Sequence, residues 1–242
     1  MSQIPFYLQQ KLSLFAINTV EDLKQYNYLQ VFAWLKDKFP SINFRALYNL
    51  YCIINDRILS DLTKLEQQKI RDQYKMLAPR YAPVSPEIIN HYLMLATNEA
   101  KTALINDEIP IGAVMVKDNQ IIATGHNQTL NTKNNILHAE IVAIRNAQLV
   151  FGTMYLDECD LYVTIEPCLM CSGAIISSRI KRVIFGALEP KTGACISQYQ
   201  VFSNKAVNHH TEAIGPVENE KYAALLRQFF QNKRLLLRLH RQ

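Results

Sequence analysis

The chain has 242 residues, an apolar fraction of 49% and a formal net charge of +5, which fit a globular protein of one large or two small domains. No run reaches the roughly 18 apolar residues of a membrane span, and the N-terminus lacks the pattern of a signal peptide, so no membrane partner is expected. The five cysteines show no spacing that indicates a disulfide framework, which favours a reducing, cytoplasmic location.

Residues 1–78 are predicted to form a small all-α domain. Thr19, followed three residues later by Asp22, resembles the capping box that starts a helix. Apolar residues recur with a helical period in four ranges: Glu21–Tyr26, Leu29–Lys38, Phe44–Asn55 and Asp61–Met76. Three prolines then fall within residues 79–86, which predicts a linker between two domains.

Residues 87–242 are predicted to form an α/β domain in which strands and helices alternate. One helix is expected over Ser85–Ile105, with Ser85 as its cap, and a basic helix over Glu218–Leu239. Strands are expected at Ile111–Lys117, Gln120–His126, Asp160–Glu166, Arg182–Ala187 and, near the end, Ala206–Ile214. This order implies a sheet with helices on both faces, and ligands then bind beyond the carboxyl ends of the strands.

Two short motifs, His138-Ala-Glu140 and Pro167-Cys168-Leu-Met-Cys171, carry the clearest chemical pattern. One His and two Cys supply three zinc ligands and leave a fourth position for water, as in catalytic zinc sites. Glu140 is a carboxylate beside that position, suited to moving protons between the water and a leaving amine. A lone C-x-x-C also occurs in redox pairs and structural zinc sites, but here both motifs occur in order, each at a predicted strand-to-helix junction.

Both motifs are expected at the N-terminal ends of helices. His138 and Glu140 can serve one site only if it lies off the end of the helix, because residues two apart do not share a helix face. Cys168 and Cys171 are three apart and project to the same side, and Pro167 suits the first helical turn. Since the positive end of a helix favours thiolates, two helix N-termini are predicted to meet at one metal.

Positive charge is concentrated at the C-terminus. Residues 221–242 contain six Lys or Arg and no Asp or Glu. Such a block occurs on solvated helix ends, and it is also what a phosphate-contacting tail requires.

The chain resembles the bacterial tRNA-specific adenosine deaminase family (TadA) over about residues 86–235. Besides the two zinc motifs, the stretches that carry the resemblance are Glu108–Val114, Gly125–Asn127, Ser178–Ala187, Lys191–Ala194 and Ala223–Phe230. The resemblance implies a cytidine-deaminase-like fold, a three-layer α/β/α domain with a mixed central sheet. It also implies that zinc-activated water deaminates adenosine to inosine at the wobble position of tRNA, after the base has been extruded.

The resemblance also implies residue roles. His138, Cys168 and Cys171 would bind one Zn²⁺ per subunit, and Glu140 would relay protons. The implied substrate-binding residues are Asn127, which would hydrogen-bond the adenine, Glu189 and Lys191, which would contact anticodon nucleotides or their phosphates, and Phe230, which would pack near the extruded base. The implied partners are the anticodon stem-loop of tRNA and a second copy of the chain in a homodimer.

The chain departs from this family in one segment. Gln128-Thr129 follow the asparagine, where family members commonly have Arg-Pro, and Asn134–Leu137 precede His138, where they commonly have Asp-Pro-Thr-Ala. We therefore expect a substrate-facing loop, Gln128–Leu137, of different shape.

The first domain resembles the C-terminal domain of TfoX/Sxy-type competence regulators. The residues that carry this resemblance are Ile17–Leu23, Phe32–Lys36 and Asn43–Leu50. Residues 1–84 have a net charge of +4, which is compatible with RNA but does not identify a partner.

Three functional hypotheses follow. The first is the deamination of adenosine at the tRNA wobble position. The second is a deaminase of a free base or nucleoside such as cytosine or guanine, which the altered loop allows but which has no need of a basic tail. The third is a non-catalytic RNA-binding subunit that contains zinc, which would have no use for the carboxylate of Glu140.

Overall fold

The protein consists of two compact units, of which the first ends at Val84 and the second begins at Ser85. The computed structural model describes residues 4–76, 81–204 and 206–239. Residues 77–80, which include the first two residues of the predicted linker, therefore lie outside the described residues, as do residues 240–242 of the basic tail. No helix in the described part of the chain is long and apolar enough to cross a membrane.

The first unit is entirely helical in its described residues. Its helices are α1 (Phe6–Leu12), α2 (Val20–Lys24), α3 (Tyr28–Lys38), α4 (Phe44–Ile54) and α5 (Lys64–Lys75). The predicted capping box is confirmed, since the Thr19 side chain accepts from the N–H of Asp22 and the Asp22 carboxylate accepts from the N–H of Thr19. Helix α5 begins at Lys64 rather than at the predicted Asp61, because a second capping box forms between Thr63 and Glu66.

The second unit is an α/β domain. Its helices are α6 (Pro86–Ile105), α7 (Thr129–Thr132), α8 (Ala139–Phe151), α9 (Leu169–Ser177) and α10 (Asn219–Leu239). Its strands are β1 (Gly112–Lys117), β2 (Gln120–His126), β3 (Asp160–Ile165), β4 (Arg182–Ala187) and β5 (Glu212–Ile214). Helix α6 starts as predicted, with the Ser85 side chain capping it and Pro86 as its first residue, so Pro86 belongs to the helix and not to the linker.

The five strands form one mixed sheet in the order β2-β1-β3-β4-β5. Strand β1 pairs antiparallel with both β2 and β3, whereas β3, β4 and β5 run parallel. The hairpin turn between β1 and β2 is formed by Asp118 and Asn119, which both have positive φ. Strand β5 is shorter than the predicted Ala206–Ile214, and it pairs only with Arg182–Ile184 of β4.

Helices cover both faces of this sheet. Alanines of α8 and Ile175 of α9 pack against one face, where Met115, Val163 and Phe185 point from three strands. On the other face, Tyr92 of α6 and Tyr222 of α10 form a second core. They pack against strand residues that alternate with those of the first face, among them Val114, Tyr162 and Ile184. The three-layer α/β/α architecture is thus confirmed.

A glycine permits the close approach of α8 to the sheet. A Cβ added to Gly125 of β2 would lie 2.4 Å from the carbonyl oxygen of Ala139 and 2.5 Å from the nitrogen of Ala143. Helix α8 can therefore lie directly on β2, which places the start of α8 beside the end of the strand.

Candidate metal and catalytic site

A cluster of three metal-ligating side chains lies beyond the carboxyl end of β3, where the two sequence motifs meet. His138 Nδ1 is 3.7 Å from Cys168 Sγ and 3.5 Å from Cys171 Sγ, and all three donor atoms lie within 4.8 Å of one another. It is the one group of three such side chains found among the described residues. The predicted convergence of the two motifs is therefore present in the structure.

The spacing of these donors fits zinc. With Zn–N near 2.05 Å and Zn–S near 2.3 Å at a tetrahedral angle, a nitrogen and a sulfur ligand are separated by about 3.6 Å. The observed separations of 3.5 and 3.7 Å bracket that value. Three protein donors of the N and S type leave the fourth tetrahedral position for water or substrate, which is the arrangement of catalytic zinc.

Both motifs lie at helix starts, as predicted, with a correction of register. His138 is the N-cap of α8 and Cys168 is the N-cap of α9, and both have extended backbone. Pro167 is therefore not in the first turn of α9 but precedes the cap. Its carbonyl accepts a hydrogen bond of 2.8 Å from Ala194 N–H, and Cys168 forms a β-bridge with Gly193, which holds this segment extended.

The two thiols are electrostatically coupled. A hydrogen bond from Cys171 lowers the pKa of Cys168 to about 4, and the same contact raises the pKa of Cys171. In this contact Cys171 donates its proton to Cys168. A divalent cation at this position would replace the proton and keep both sulfurs as thiolates.

Glu140 is a buried carboxyl group beside the cluster. Its side chain is 4% exposed, and burial raises the pKa of Glu140 to about 7, a shift that His138 partly opposes. A bound cation would lower this pKa by direct attraction. A carboxylate beside the metal position can accept a proton from bound water and return it, which is what general acid–base catalysis requires.

Asn127 is buried at the end of β2 and faces the start of α8. Its Oδ1 accepts a hydrogen bond of 2.8 Å from the N–H of Ala139, the first residue of α8. Because that N–H needs an acceptor, the orientation of the amide is fixed. Within the described part of the chain, Nδ2 makes no hydrogen bond. The side chain therefore offers the Nδ2 donor to a ligand, while one lone pair of its oxygen is already used.

The loop after Asn127 is held by a buried carboxylate, that of Glu108. Its oxygens accept hydrogen bonds from Asn131 N–H at 2.7 Å, from Leu130 N–H at 3.0 Å and from the Thr129 hydroxyl. Part of the predicted irregular loop is consequently the short helix α7. Sequence reasoning missed Glu108, although a Glu just before the apolar strand β1 was a visible signal.

The remaining predicted site residues lie on two other elements. Glu189 and Lys191 follow β4, and the Glu189 carboxylate accepts a hydrogen bond from the N–H of Lys191 at 3.0 Å. Phe230 lies on α10 with 42% of its surface exposed, and its ring contacts that of Phe229 edge to face. The roles predicted for these three residues stay predictions.

Sequence reasoning also missed Glu166, the residue before Pro167. Its side chain is 3% exposed and accepts hydrogen bonds from the loop that carries Glu189 and Lys191. The available signal was a carboxylate at the end of an otherwise apolar strand.

Comparisons with known proteins match this part of the chain. A family model described as the cytidine and deoxycytidylate deaminase zinc-binding region matches residues 86–187. The chain is 40% identical to the tRNA-specific adenosine deaminase of Aquifex aeolicus (strain VF5) over 145 residues, which are 60% of this chain and 95% of that protein. It is 43% identical to the tRNA-specific adenosine deaminase of Agrobacterium fabrum (strain C58), also over 145 residues and with the same coverage.

A solved structure is similar as well. It comes from a study of A-to-I editing by tRNA:A34 deaminases at the wobble position of transfer RNA, and it superposes with a TM-score of 0.55 at 40% sequence identity. The match covers 57% of this chain and 99% of that chain.

Proposed function

The chain belongs to the family of tRNA-specific adenosine deaminases, and we propose that it converts adenosine to inosine at the wobble position of tRNA. It is accordingly a zinc-dependent hydrolase with a zinc-binding deaminase domain. The observation that carries the proposal is that three donor atoms spaced for zinc lie beside the buried carboxyl group of Glu140.

In this proposal His138, Cys168 and Cys171 hold one Zn²⁺ per subunit. Bound zinc lowers the pKa of water toward neutrality and so supplies a nucleophile at physiological pH. The N-terminal ends of α8 and α9 add positive potential at the same point, which favours the thiolate form of both cysteines.

Glu140 moves the protons of the reaction. Its carboxylate accepts a proton from the attacking water and delivers it to the amino group of the adenine, which leaves as ammonia. One water is consumed and one ammonia is released for each inosine formed. The burial of Glu140 keeps bulk water from exchanging that proton during the step.

Asn127 orients the base through its amide group. Oδ1 is hydrogen-bonded to Ala139 N–H, which fixes the amide and leaves Nδ2 to donate to an acceptor atom of the purine. Phe230, in this proposal, packs near the extruded base.

The RNA is held by contacts outside the base pocket. Glu189 and Lys191 contact nucleotides of the anticodon stem-loop, and exposed cations of α10, among them Lys233 and Arg234, contact phosphates. Lys233 lies over the ring of Phe229, with its Nζ atom 5.5 Å from the ring centre, and both cations are exposed. We further propose that the enzyme is a homodimer that acts in the cytoplasm.

The test uses purified protein with an unmodified tRNA that carries adenosine at the wobble position, and separately with free adenosine, cytosine and guanine. Inosine at that position alone is the expected result. If a free base is deaminated and the tRNA is unchanged, the protein is a deaminase of small molecules instead. Zinc-dependent RNA binding without any turnover would favour a non-catalytic subunit.

A further inference from the structure

The loop 189–198, which follows β4, is joined to the metal-binding segment at its centre. Gly193 forms a β-bridge with Cys168, and Ala194 N–H donates to the carbonyl of Pro167 at 2.8 Å. The loop therefore lies beside one of the three metal-ligating residues. It also carries Glu189 and Lys191.

The side chain of Glu166 is the point at which both ends of this loop converge. Its Oε1 accepts three backbone hydrogen bonds, from Cys195 N–H at 3.0 Å, Ile196 N–H at 2.7 Å and Ser197 N–H at 2.9 Å. Its Oε2 accepts from Glu189 N–H at 3.1 Å and from the Ser197 hydroxyl. Five donors from one loop thus meet a single carboxylate.

Gly193 leaves room for the Glu166 carboxylate because it has no side chain. A Cβ on Gly193 would lie 2.4 Å from Glu166 Oε2 and 2.6 Å from the carbonyl oxygen of Glu189. These distances are shorter than atomic contacts allow, so a side chain at position 193 would force the carboxylate or the loop to move. Gly193 is consequently required here for its small size.

Four of the five groups that meet the buried Glu166 side chain are backbone N–H groups, which can only donate and so favour a carboxylate there. Backbone N–H groups that donate to a charged acceptor form stronger bonds than those that donate to a neutral one. The loop is therefore held by charge-assisted bonds before any substrate arrives.

We propose that Glu166 is a positioning residue for RNA recognition, which fixes the loop 189–198 so that Glu189 and Lys191 meet the RNA in one orientation. A loop ordered in advance does not lose its conformational freedom on binding, and this favours affinity. Glu166 itself touches neither the base nor the metal ligands in this assignment. Its part in recognition rests on the function proposed above, whereas its part in holding the loop does not.

The test compares Glu166→Gln with the wild type in three measurements: amide hydrogen exchange of residues 189–198, zinc content, and the kinetics of deamination of an anticodon stem-loop RNA. Gln keeps the size of the side chain and an oxygen for the three bonds of Oε1. It places a donor opposite Glu189 N–H, so that side of the loop is released. Glu212→Gln serves as the control, because Glu212 is a partly buried carboxylate of β5 that pairs with Arg182 at the opposite end of β4.

In Glu166→Gln we expect the amide hydrogen of Glu189 to exchange with solvent about tenfold or more faster, because its hydrogen bond to a charged acceptor is lost. Zinc content should stay at one per chain. The KM for the RNA should rise about tenfold while kcat changes less than about threefold, since the reacting groups are untouched. The control should change neither the exchange of the loop nor KM.

The proposal would be overturned if amide hydrogen exchange in the loop were the same in Glu166→Gln as in the wild type. It would also be overturned if the variant lost activity only through kcat, or only because it had lost zinc. If the wild type does not act on RNA, the function proposed above fails, and the exchange measurement still decides whether Glu166 holds the loop. If Glu166→Gln does not fold, Ser197→Ala removes a single donor from Oε2. A KM increase of about threefold in that variant, with faster exchange in the loop, supports the proposal, and unchanged values of both overturn it.

Discussion

The Oδ1 atom of Asn127 accepts a hydrogen bond of 2.8 Å from the backbone N–H of Ala139. This one contact joins the end of β2 to the beginning of α8, immediately after the metal-ligating His138. Asn127 therefore has two separable tasks, since its oxygen holds a helix and its nitrogen is free to meet the substrate.

Two substitutions separate these tasks. Asn127→Asp keeps an acceptor for Ala139 N–H but loses the donor, so we expect stability close to that of the wild type and activity lower by about tenfold or more. Asn127→Ala also leaves the buried N–H unpaired, which should lower the free energy of unfolding by about 1–3 kcal/mol. Urea unfolding and kcat/KM for the RNA would be measured for both. Full activity of Asn127→Asp would contradict donation to the substrate.

Glu140→Gln tests proton transfer. The amide cannot relay a proton, so kcat should fall by about 10²–10⁴-fold while the zinc content, measured by atomic emission, stays at one per chain. Glu158→Gln is the matched control, because Glu158 pairs with Lys117 on the surface, near the start of β3. Substantial turnover by Glu140→Gln would show that another group moves the proton.

Removal of the metal should stop the reaction reversibly. Dialysis against a strong chelator is expected to abolish activity, and added Zn²⁺ should restore it in the wild type but not in Cys171→Ala, which lacks one of three ligands. Cys159→Ala, a change of another buried cysteine at the start of the strand that leads to the motif, should keep its zinc. Retention of tightly bound zinc by Cys171→Ala would argue against the assigned ligand set.

The contribution of Glu108 to stability should depend on pH. Burial by itself would raise the pKa of Glu108, but hydrogen bonds from Asn131, Leu130 and Thr129 outweigh it and lower the pKa below the ordinary value of 4.5. A carboxyl group with a lowered folded-state pKa stabilises the protein above its unfolded-state pKa, and this stabilisation is lost as the pH falls through the folded-state value.

The free energy of unfolding of Glu108→Gln, relative to the wild type, should therefore be lowest near neutral pH and should approach the wild-type value below about pH 4.5. Denaturant unfolding from pH 7 downward measures this difference. Asp107→Asn, a change of the exposed neighbour, provides the comparison. A difference that does not vary with pH would indicate that the charge of Glu108 is unimportant.

The proposed contacts between α10 and phosphates can be tested by the salt dependence of RNA affinity. If Lys233 and Arg234 each contact a phosphate, their joint replacement by Ala should reduce the slope of log affinity against log salt by about 1.4–1.8. Lys117→Ala is the control, since Lys117 is paired with Glu158 at 2.6 Å. An unchanged slope in the double variant would remove these two residues from the RNA interface.

The zinc site was predictable because its pattern is local. His138 and Glu140 lie two residues apart, Cys168 and Cys171 lie three apart, and each pair begins a helix whose start is visible in the sequence. The start of α6 at Ser85 and the positions of the strands along the chain followed from equally local signals, namely a capping residue, a proline and β-rich apolar runs.

The two buried carboxylates were not predictable in the same way. Glu166 accepts hydrogen bonds from residues up to 31 positions away, and Glu108 from residues up to 23 positions away. Neither pairing leaves a periodic trace, because the partners are backbone N–H groups, which any residue other than proline has. The register of Pro167 was missed for a related reason, since it is set by bonds to Gly193 and Ala194 from a later loop.

The capped start of α6 has a consequence for the portability of the second unit. Ser85 supplies the capping oxygen to Ile88 N–H from within the unit, and Pro86 has no N–H that a preceding residue would need to satisfy. The first turn of α6 thus needs no hydrogen bond from residues 81–84. A chain that begins just before Ser85 should retain the start of this helix, so the deaminase unit is a module that can be transplanted behind a different leading domain.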